Sequence, residues 1–303
     1  MGDKARVAAR HFILLLCRWL PAGRRKQIER WLRGREEYKK LERADWVLMS
    51  WGKSGRTWLR VMLSRAYQQV AGLEAQELLD FDNLKRRDPR LPAVFFSHNN
   101  YLRDYTGNWE SKRHFRGKRI VLLVRDPRDV AVSQFFQWRY RMRPGKKFIN
   151  DYPPHGAELN TWDFVLDRDA GVPRIVDFFN GWARALEELD QVLVVRYEDM
   201  RTDPAAVLAR VLDFTGTAVS DEQVREAVEF AAYENMKKME QEKFFRRSGA
   251  RVRPGDQHNP HSFKVRKAKV GGYRDYFSDD QCERLAQLVA ELDPLFGYGS
   301  AAA

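Results

Sequence analysis

The 303-residue sequence predicts an α/β fold: a single domain with a mostly parallel central sheet flanked by helices, a P-loop-like phosphate-binding loop after the first strand, and a basic helical N-terminal appendage. Three observations predict it. Short apolar runs at residues 46–49, 93–98, 119–124 and 191–198 have strand length, and longer segments of helical period alternate with them. The first run leads directly into Gly52-Lys53-Ser54-Gly55-Arg56-Thr57, after which Trp58, Leu59, Met62 and Leu63 recur at helical spacing. A hydrophobic content of 44% over this length suffices for one core. The division expected is residues 1–43 as appendage and 44–303 as the main domain.

In chain order, the appendage comes first. The apolar run from Phe12 is interrupted at Arg18 after six residues, far short of the roughly 20 needed to cross a bilayer and a poor match to a signal peptide. Val7, Phe12, Leu15, Leu16, Trp19 and Leu20 can share one helical face, Pro21-Ala22-Gly23 breaks it, and a second basic helix carries Ile28, Trp31, Leu32, Tyr38 and Leu41. Two readings stand side by side: an interfacial anchor on an anionic membrane surface, or a helix pair packed on the domain or a partner.

Strand, small polar turn and helix over residues 44–71 is the layout of a phosphate-binding loop. A helix N-terminus offers unpaired N–H groups, and glycine lets the backbone approach an oxyanion. The nucleoside-triphosphate form of this loop needs a glycine where Val47 stands, so its pattern fails. A short helix is expected at 75–79. Residues 93–98 form a strand that delivers His98 at its C-terminal end, the edge where open α/β sheets bind ligands. Residues 119–124 are the clearest buried strand, closed by Arg125, with Pro127 opening a helix that contains Ser133. Residues 137–160 read as one long lid-like loop. Helices are expected at 161–166, 172–189, 204–215, 221–233 and 278–292, the last capped by Ser278, with a basic loop over 244–272.

The net charge of +12 points to an anionic ligand or surface. Twelve Lys/Arg against four Asp/Glu fall within residues 1–40. That concentration argues against nucleic acid as the main domain's partner. Two cysteines, Cys17 and Cys282, exclude a disulfide framework and a cysteine zinc site, and suit a reducing cytoplasm, with peripheral membrane attachment as the variant.

Taken in order, these segments resemble the cytosolic-type sulfotransferase family, whose donor is 3′-phosphoadenosine 5′-phosphosulfate (PAPS), from about Trp46 to Phe296. Lys53-Ser54-Gly55-Arg56-Thr57-Trp58 is similar to the family's K-S-G-T-T-W loop, with Arg56 in place of the first threonine. The stretch from Arg125 to Ser133 is similar to R-N-P-K-D-V-x-V-S. Arg196-Tyr197-Glu198-Asp199-Met200 resembles the Y-E-D-M stretch. Ala231-Ala232-Tyr233 followed by Met236-Lys237-Lys238 resembles T-S-F-x-x-M-K-K, with alanines for both hydroxyl residues. Residues 266–274 resemble R-K-G-x-x-G-D-W-K, with Ala268 in place of glycine. The family's dimerisation pattern is not found.

The resemblance implies transfer of a sulfuryl group to a hydroxyl or amine without a metal. Lys53, His98 and Ser133 are the implied catalytic residues: His98 as general base, Lys53 on the leaving phosphate. The implied donor site is Lys53, Ser54, Gly55, Arg56, Thr57, Trp58, Arg125, Ser133, Tyr197, Tyr233, Arg266, Lys267 and Ala268. The acceptor is a small molecule, lipid or glycan. Phe95, Phe96, Tyr101, Tyr105 and Trp109 can line an aromatic pocket, and Arg139, Arg141, Arg143, Lys146 and Lys147 can receive an anionic group. The alternative is a P-loop kinase using ATP and magnesium.

Overall fold

A computed structural model describes residues 3–245 and 252–299. Its elements in chain order are α1 (Asp3–Leu16), α2 (Ala22–Arg43), β1 (Trp46–Ser50), α3 (Arg56–Ala71), β2 (Val94–Ser97), α4 (Leu102–Thr106), β3 (Arg119–Val124), α5 (Pro127–Tyr140), α6 (Pro144–Ile149), α7 (Thr161–Leu166), α8 (Val172–Ala183), β4 (Val192–Arg196), α9 (Tyr197–Thr202), α10 (Pro204–Phe214), α11 (Asp221–Phe230), α12 (Tyr233–Gln241) and α13 (Asp279–Val289).

The four strands form one sheet in the order β2-β1-β3-β4, and every pairing is parallel. Alternate residues enter opposite layers of core. Val47, Met49, Ile120, Leu122 and Val124 pack on one face with residues of α5, α7, α8 and α13. Trp46, Leu48, Val121 and Leu123 pack on the other with residues of α3, α10, α11 and α12. Both faces are covered, which is why the strands read as continuous apolar runs. Each fully buried Leu, Val or Met contributes about 1.5–3 kcal/mol by leaving water. The chain leaves β1 for β2 on one side and then returns to β3 on the other. The loops after β1 and β3 therefore diverge around a crevice at the C-terminal edge of the sheet.

Several sequence expectations shift. Residues 75–79 are not helical: their backbone is satisfied by side chains, with Leu79 N–H donating to Ser64 Oγ (2.9 Å) and Gln68 Nε2 to the Glu77 carbonyl (2.6 Å). The long loop expected at 137–160 is partly helical, since α5 continues to Tyr140 and Pro144 opens α6. Buried Trp138 anchors the remainder by donating to the Pro153 carbonyl at 2.8 Å. The strand expected through 198 stops at Arg196, and Tyr197 begins α9. Ala231 and Ala232 break the helix expected over 221–233. α8 ends at Ala183 in a tighter turn over Arg184–Glu188. Ser278 caps α13 in a full capping box with Gln281. Of the basic loop expected at 244–272, residues 246–251 lie outside the described residues, and the rest carries only the short turn Pro260–Ser262.

The two N-terminal helices differ. α2 lies against α4, with Gly34 at the contact: a β-carbon there would sit 2.8 Å from the Tyr105 Cβ and closer still to the Tyr101 carbonyl. Arg30 fixes the register by binding Asp104 (2.9 Å), the Ile149 carbonyl (2.7 Å) and the Asn100 carbonyl (3.0 Å). α1 is held to α2 by Arg10–Glu36 at 2.5 Å, and leaves Phe12, Leu15 and Leu16 exposed, with Trp19 just beyond it 82% exposed. Among the described residues no helix is long and apolar enough to cross a membrane.

Gly34→Ala is expected to lower stability by about 1–3 kcal/mol through overpacking at the α2–α4 contact, read from the midpoint of urea unfolding. An unchanged midpoint would show that α2 does not seat at this spacing.

Candidate functional site

The crevice at the sheet edge is a cleft of about 680 Å³. Its floor is the turn between β1 and α3. Lys53 (φ 73°) and Gly55 (φ 97°) take left-handed backbone conformations, and the turn delivers the N-terminus of α3 at Arg56. Gly55 cannot carry a side chain, because a β-carbon would meet the Tyr197 ring at 2.5 Å. The backbone N–H groups that open this helix, at the positive end of its dipole, suit an anion.

His98 lies one residue past the end of β2, beside the end of β1. Its Nδ1 is 2.6 Å from the Ser50 carbonyl, which only accepts. Nδ1 therefore carries the proton, and Nε2 presents its lone pair to the cleft. That lone pair meets the Arg56 guanidinium at 2.5 Å. Burial and the Arg56 charge hold the imidazole well below its usual pKa, so it is neutral near pH 7.

Lys53 feels the charges of Arg141, Arg266 and Arg125. Burial and these cations lower its pKa to about 7. Lys264 is held well below the usual lysine value by burial and then by Lys53, Arg141, Arg60 and Arg56. So many cations in one cleft are a standing cost in the free protein that a multiply charged anion relieves.

Arg125 directly follows β3. It donates to the Lys53 carbonyl (3.3 Å), the Asp129 carboxylate (3.3 Å) and the Lys269 carbonyl (3.1 Å), and covers the Tyr197 ring at 4.2 Å. Asp129 also accepts from the N–H groups of Gly271 and Tyr273, each at 2.9 Å. Glu240, fully buried on α12, accepts from the N–H groups of Lys264 (2.7 Å) and Val265 (2.9 Å). These two carboxylates pin both ends of the segment that carries Arg266, Lys267 and Ala268. Arg266 stacks on Phe136 at 3.7 Å, and its carbonyl accepts from the Tyr233 hydroxyl at 2.6 Å. Trp58 donates to the Ala231 carbonyl at 2.9 Å and meets Tyr197 edge-on at 6.1 Å.

The cleft is lined by Lys53, Gly55, Arg56, Thr57, Trp58, His98, Arg125, Ser133, Tyr197, Tyr233, Arg266, Lys267 and Ala268. The exception among the candidates is Ser54, which is fully buried and outside the lining. Lys267 is exposed and paired with Asp275 at 3.1 Å. Ala268 has φ 49°, a left-handed conformation that favours glycine and costs an L-residue roughly 1–2 kcal/mol. Of the acceptor-side cations proposed from sequence only Lys146 lines the cleft. Arg141 instead binds the Arg253 carbonyl (2.7 Å) and Glu240, and Lys147 is buried over Trp138. Of the aromatic candidates only Trp109 lines it; Phe95 and Tyr101 are buried in packing contacts. Sequence reading missed Lys264, Asp129 as a latch, and Glu240. Lys264 stands two residues before Arg266, and that proximity was the available signal. Nothing local marks Glu240.

The sequence profile of the Sulfotransferase domain matches residues 43–293. Cytosolic sulfotransferase 17 of Arabidopsis thaliana is 25% identical, over 84% of this chain and 76% of the relative. Among solved structures, mouse sulfotransferase SULT7A1 complexed with PAP superposes with a TM-score of 0.52 at 21% identity, covering 84% of this chain and 88% of that one. Retinol dehydratase in a complex with retinol and PAP gives 0.55 at 18% identity, covering 85% and 84%. These structural likenesses establish the fold.

In Arg56→Thr the His98 imidazole pKa should rise toward the usual histidine value without reaching it, because burial persists. An NMR titration of the ring reads this, and an unmoved pKa would mean that the Arg56 charge is not felt at Nε2.

Proposed function

This chain belongs to the sulfotransferase family, and we infer that it moves a sulfuryl group from PAPS to an acceptor hydroxyl or amine. The observation that carries the reading is a neutral, tautomer-fixed His98 sharing one cleft with Lys53 and the α3 N-terminus. The acceptor O–H gives its proton to His98 Nε2 as its oxygen forms the new O–S bond. The S–O bond to the donor phosphate breaks, and 3′-phosphoadenosine 5′-phosphate leaves. For Nε2 to take that proton, Arg56 must move off it, and the sulfuryl oxygens are the natural recipients of its N–H groups. Lys53 and the N–H groups opening α3 stabilise charge growing on the leaving phosphate. Arg125, Ser133, Arg266 and Lys267 hold the 3′-phosphate, with Ala268 and its neighbours supplying backbone N–H groups, while Trp58, Tyr197 and Tyr233 surround the adenine. No metal is part of this reading. Nothing among the relatives favours the ATP–magnesium alternative.

The appendage, residues 1–43, is read as an addition to a sulfotransferase domain over 44–303, with α1 lying on an anionic membrane surface. What supports this is the exposed apolar row Phe12, Leu15, Leu16 and Trp19 beside a strongly basic α2. The protein should co-sediment with phosphatidylglycerol vesicles, and Phe12→Ser with Trp19→Ser should abolish it. An intact chain that stays in the supernatant removes this role.

The donor reading is tested by thermal unfolding with 3′-phosphoadenosine 5′-phosphate beside ATP–Mg²⁺. At about 100 times its Kd a ligand adds roughly 2.7 kcal/mol. Stabilisation by the bisphosphate is expected, and stabilisation by ATP–Mg²⁺ alone would reinstate the kinase. Because a bound phosphate favours the charged amine, and Lys53 titrates near 7 in the free protein, affinity should fall as pH rises above about 7, with proton uptake on binding. Lys53→Ala should flatten that dependence, and Arg125→Ala should weaken the bisphosphate while leaving the fold intact. His98→Ala should lose about 10²–10⁴-fold in turnover with the donor affinity kept; near-normal turnover would remove His98 from the chemistry.

A further inference from the structure

Beyond His98 the cleft continues between α4, residues 107–114 and α8, and its lining changes character. Arg103, Lys112 and Arg174 are half-buried there, and among the described residues none is hydrogen-bonded or ion-paired to a carboxylate. Exposed Glu110, Asp169 and Asp177 line the same end, yet none lies within ion-pair distance of the three cations. Instead two of the cations rest on aromatic faces: the Arg103 guanidinium 4.5 Å over Trp109 and the Lys112 ammonium 6.0 Å over Trp182. Arg103 Nε and both ring nitrogens of His114 are buried without a hydrogen-bond partner. The cations also feel one another. Burial, then Arg174 and Arg30, depress Arg103, with Asp104 and Asp151 opposing only in part; burial, then Arg103 and Arg184, depress Lys112, with Glu188 opposing in part.

An apolar acceptor seated here would strand these charges out of water with no carboxylate in direct contact. A neutral polyol would leave them as they are. An anion on the acceptor would pair with them, with guanidinium groups well suited to the two oxygens of a carboxylate. The rest of the lining selects the frame that carries the anion. Trp109 carries Arg103 over its ring yet is 57% exposed, so it still offers aromatic surface to a sugar ring beside that cation. Asn99, Asn100 and Asn108 bring amides, and Asn99 Oδ1 is buried without a partner. An exposed aromatic ring, amides for hydroxyls and cations with no carboxylate in contact, in one continuous lining with His98, match one class of acceptor.

We propose that the acceptor is an acidic saccharide, its carboxylate held by Arg103, Lys112 and Arg174 while a neighbouring hydroxyl reaches His98. This rests on the sulfotransfer reading and narrows it. The test is calorimetric titration of the full chain, with and without saturating 3′-phosphoadenosine 5′-phosphate. The probes are an unsulfated uronate-containing oligosaccharide, the same oligosaccharide with its carboxyls reduced to alcohols, and glycerol 3-phosphate as a headgroup probe. The uronate form should bind, and carboxyl reduction should weaken it on the order of tenfold or more, the worth of one charge-assisted hydrogen bond. Arg103→Gln and Arg174→Gln should each weaken the uronate form by a similar factor and leave bisphosphate affinity unchanged. Equal binding of both saccharides, no saccharide binding by a chain that binds the bisphosphate normally, or preference for glycerol 3-phosphate would each overturn the proposal. Failure of the bisphosphate to bind would instead strike the donor reading, and the saccharide titration without it still decides this one.

Discussion

The Asp129 carboxylate is the junction on which the cleft depends. It sits five residues after β3 ends, in the first turn of α5, and receives Arg125 from the sheet edge and two backbone N–H groups from the far C-terminal segment. Burial pushes its pKa up, while Arg125 and the two N–H groups pull it down. One buried carboxylate thus orders a cation and closes a loop from more than 140 residues away in sequence. Glu240 does the same for the other end of that segment. Without the two latches, a run as basic as residues 264–269 would be repelled by Lys53, Arg56 and Arg125. Removing a buried acceptor of this kind leaves its donors unsatisfied, which typically costs about 1–3 kcal/mol for each.

The assembled cleft is therefore preorganised at an electrostatic cost. Lys53 and Lys264 have depressed pKa values because they are buried and, after that, because their neighbours are cations. The same crowding keeps His98 neutral, with Arg56 resting on the lone pair that a base must use. Charge repulsion held in the free state is released when an anion enters, so binding and charge stabilisation draw on one arrangement. The departures from the family pattern fall inside this machinery. Arg56 replaces a hydroxyl with a charge that reaches His98, and Ala268 occupies a left-handed position where glycine would relax.

The strands, their order of appearance and the residues that follow the second and third of them were legible in the sequence, whereas the end of the fourth was placed two residues late. Burial of both sheet faces demands continuous apolar runs, and a parallel sheet gathers the ends of those runs on one edge. Helix continuity was less legible. Residues 75–79 have a helix-like composition, yet Ser64 and Gln68 satisfy their backbone from another element. Residues 144–149 look like a basic loop, yet Pro144 is placed as a helix start and Ile149 is buried.

By itself the sequence determined the α/β class, the phosphate loop at Lys53, the histidine after β2 and the cations after β3 and near residue 266, because each depends on local pattern and on residue type at a strand end. Tertiary structure alone decided which of the many basic residues face the cleft. Arg141 and Lys147 turn to protein partners, Lys146 stays on the cleft wall, and Lys264 comes to lie among the cations around Lys53. Composition cannot report this, because a cation's role is set by whether a carboxylate, a carbonyl or an aromatic face meets it, and those partners come from segments distant in the chain.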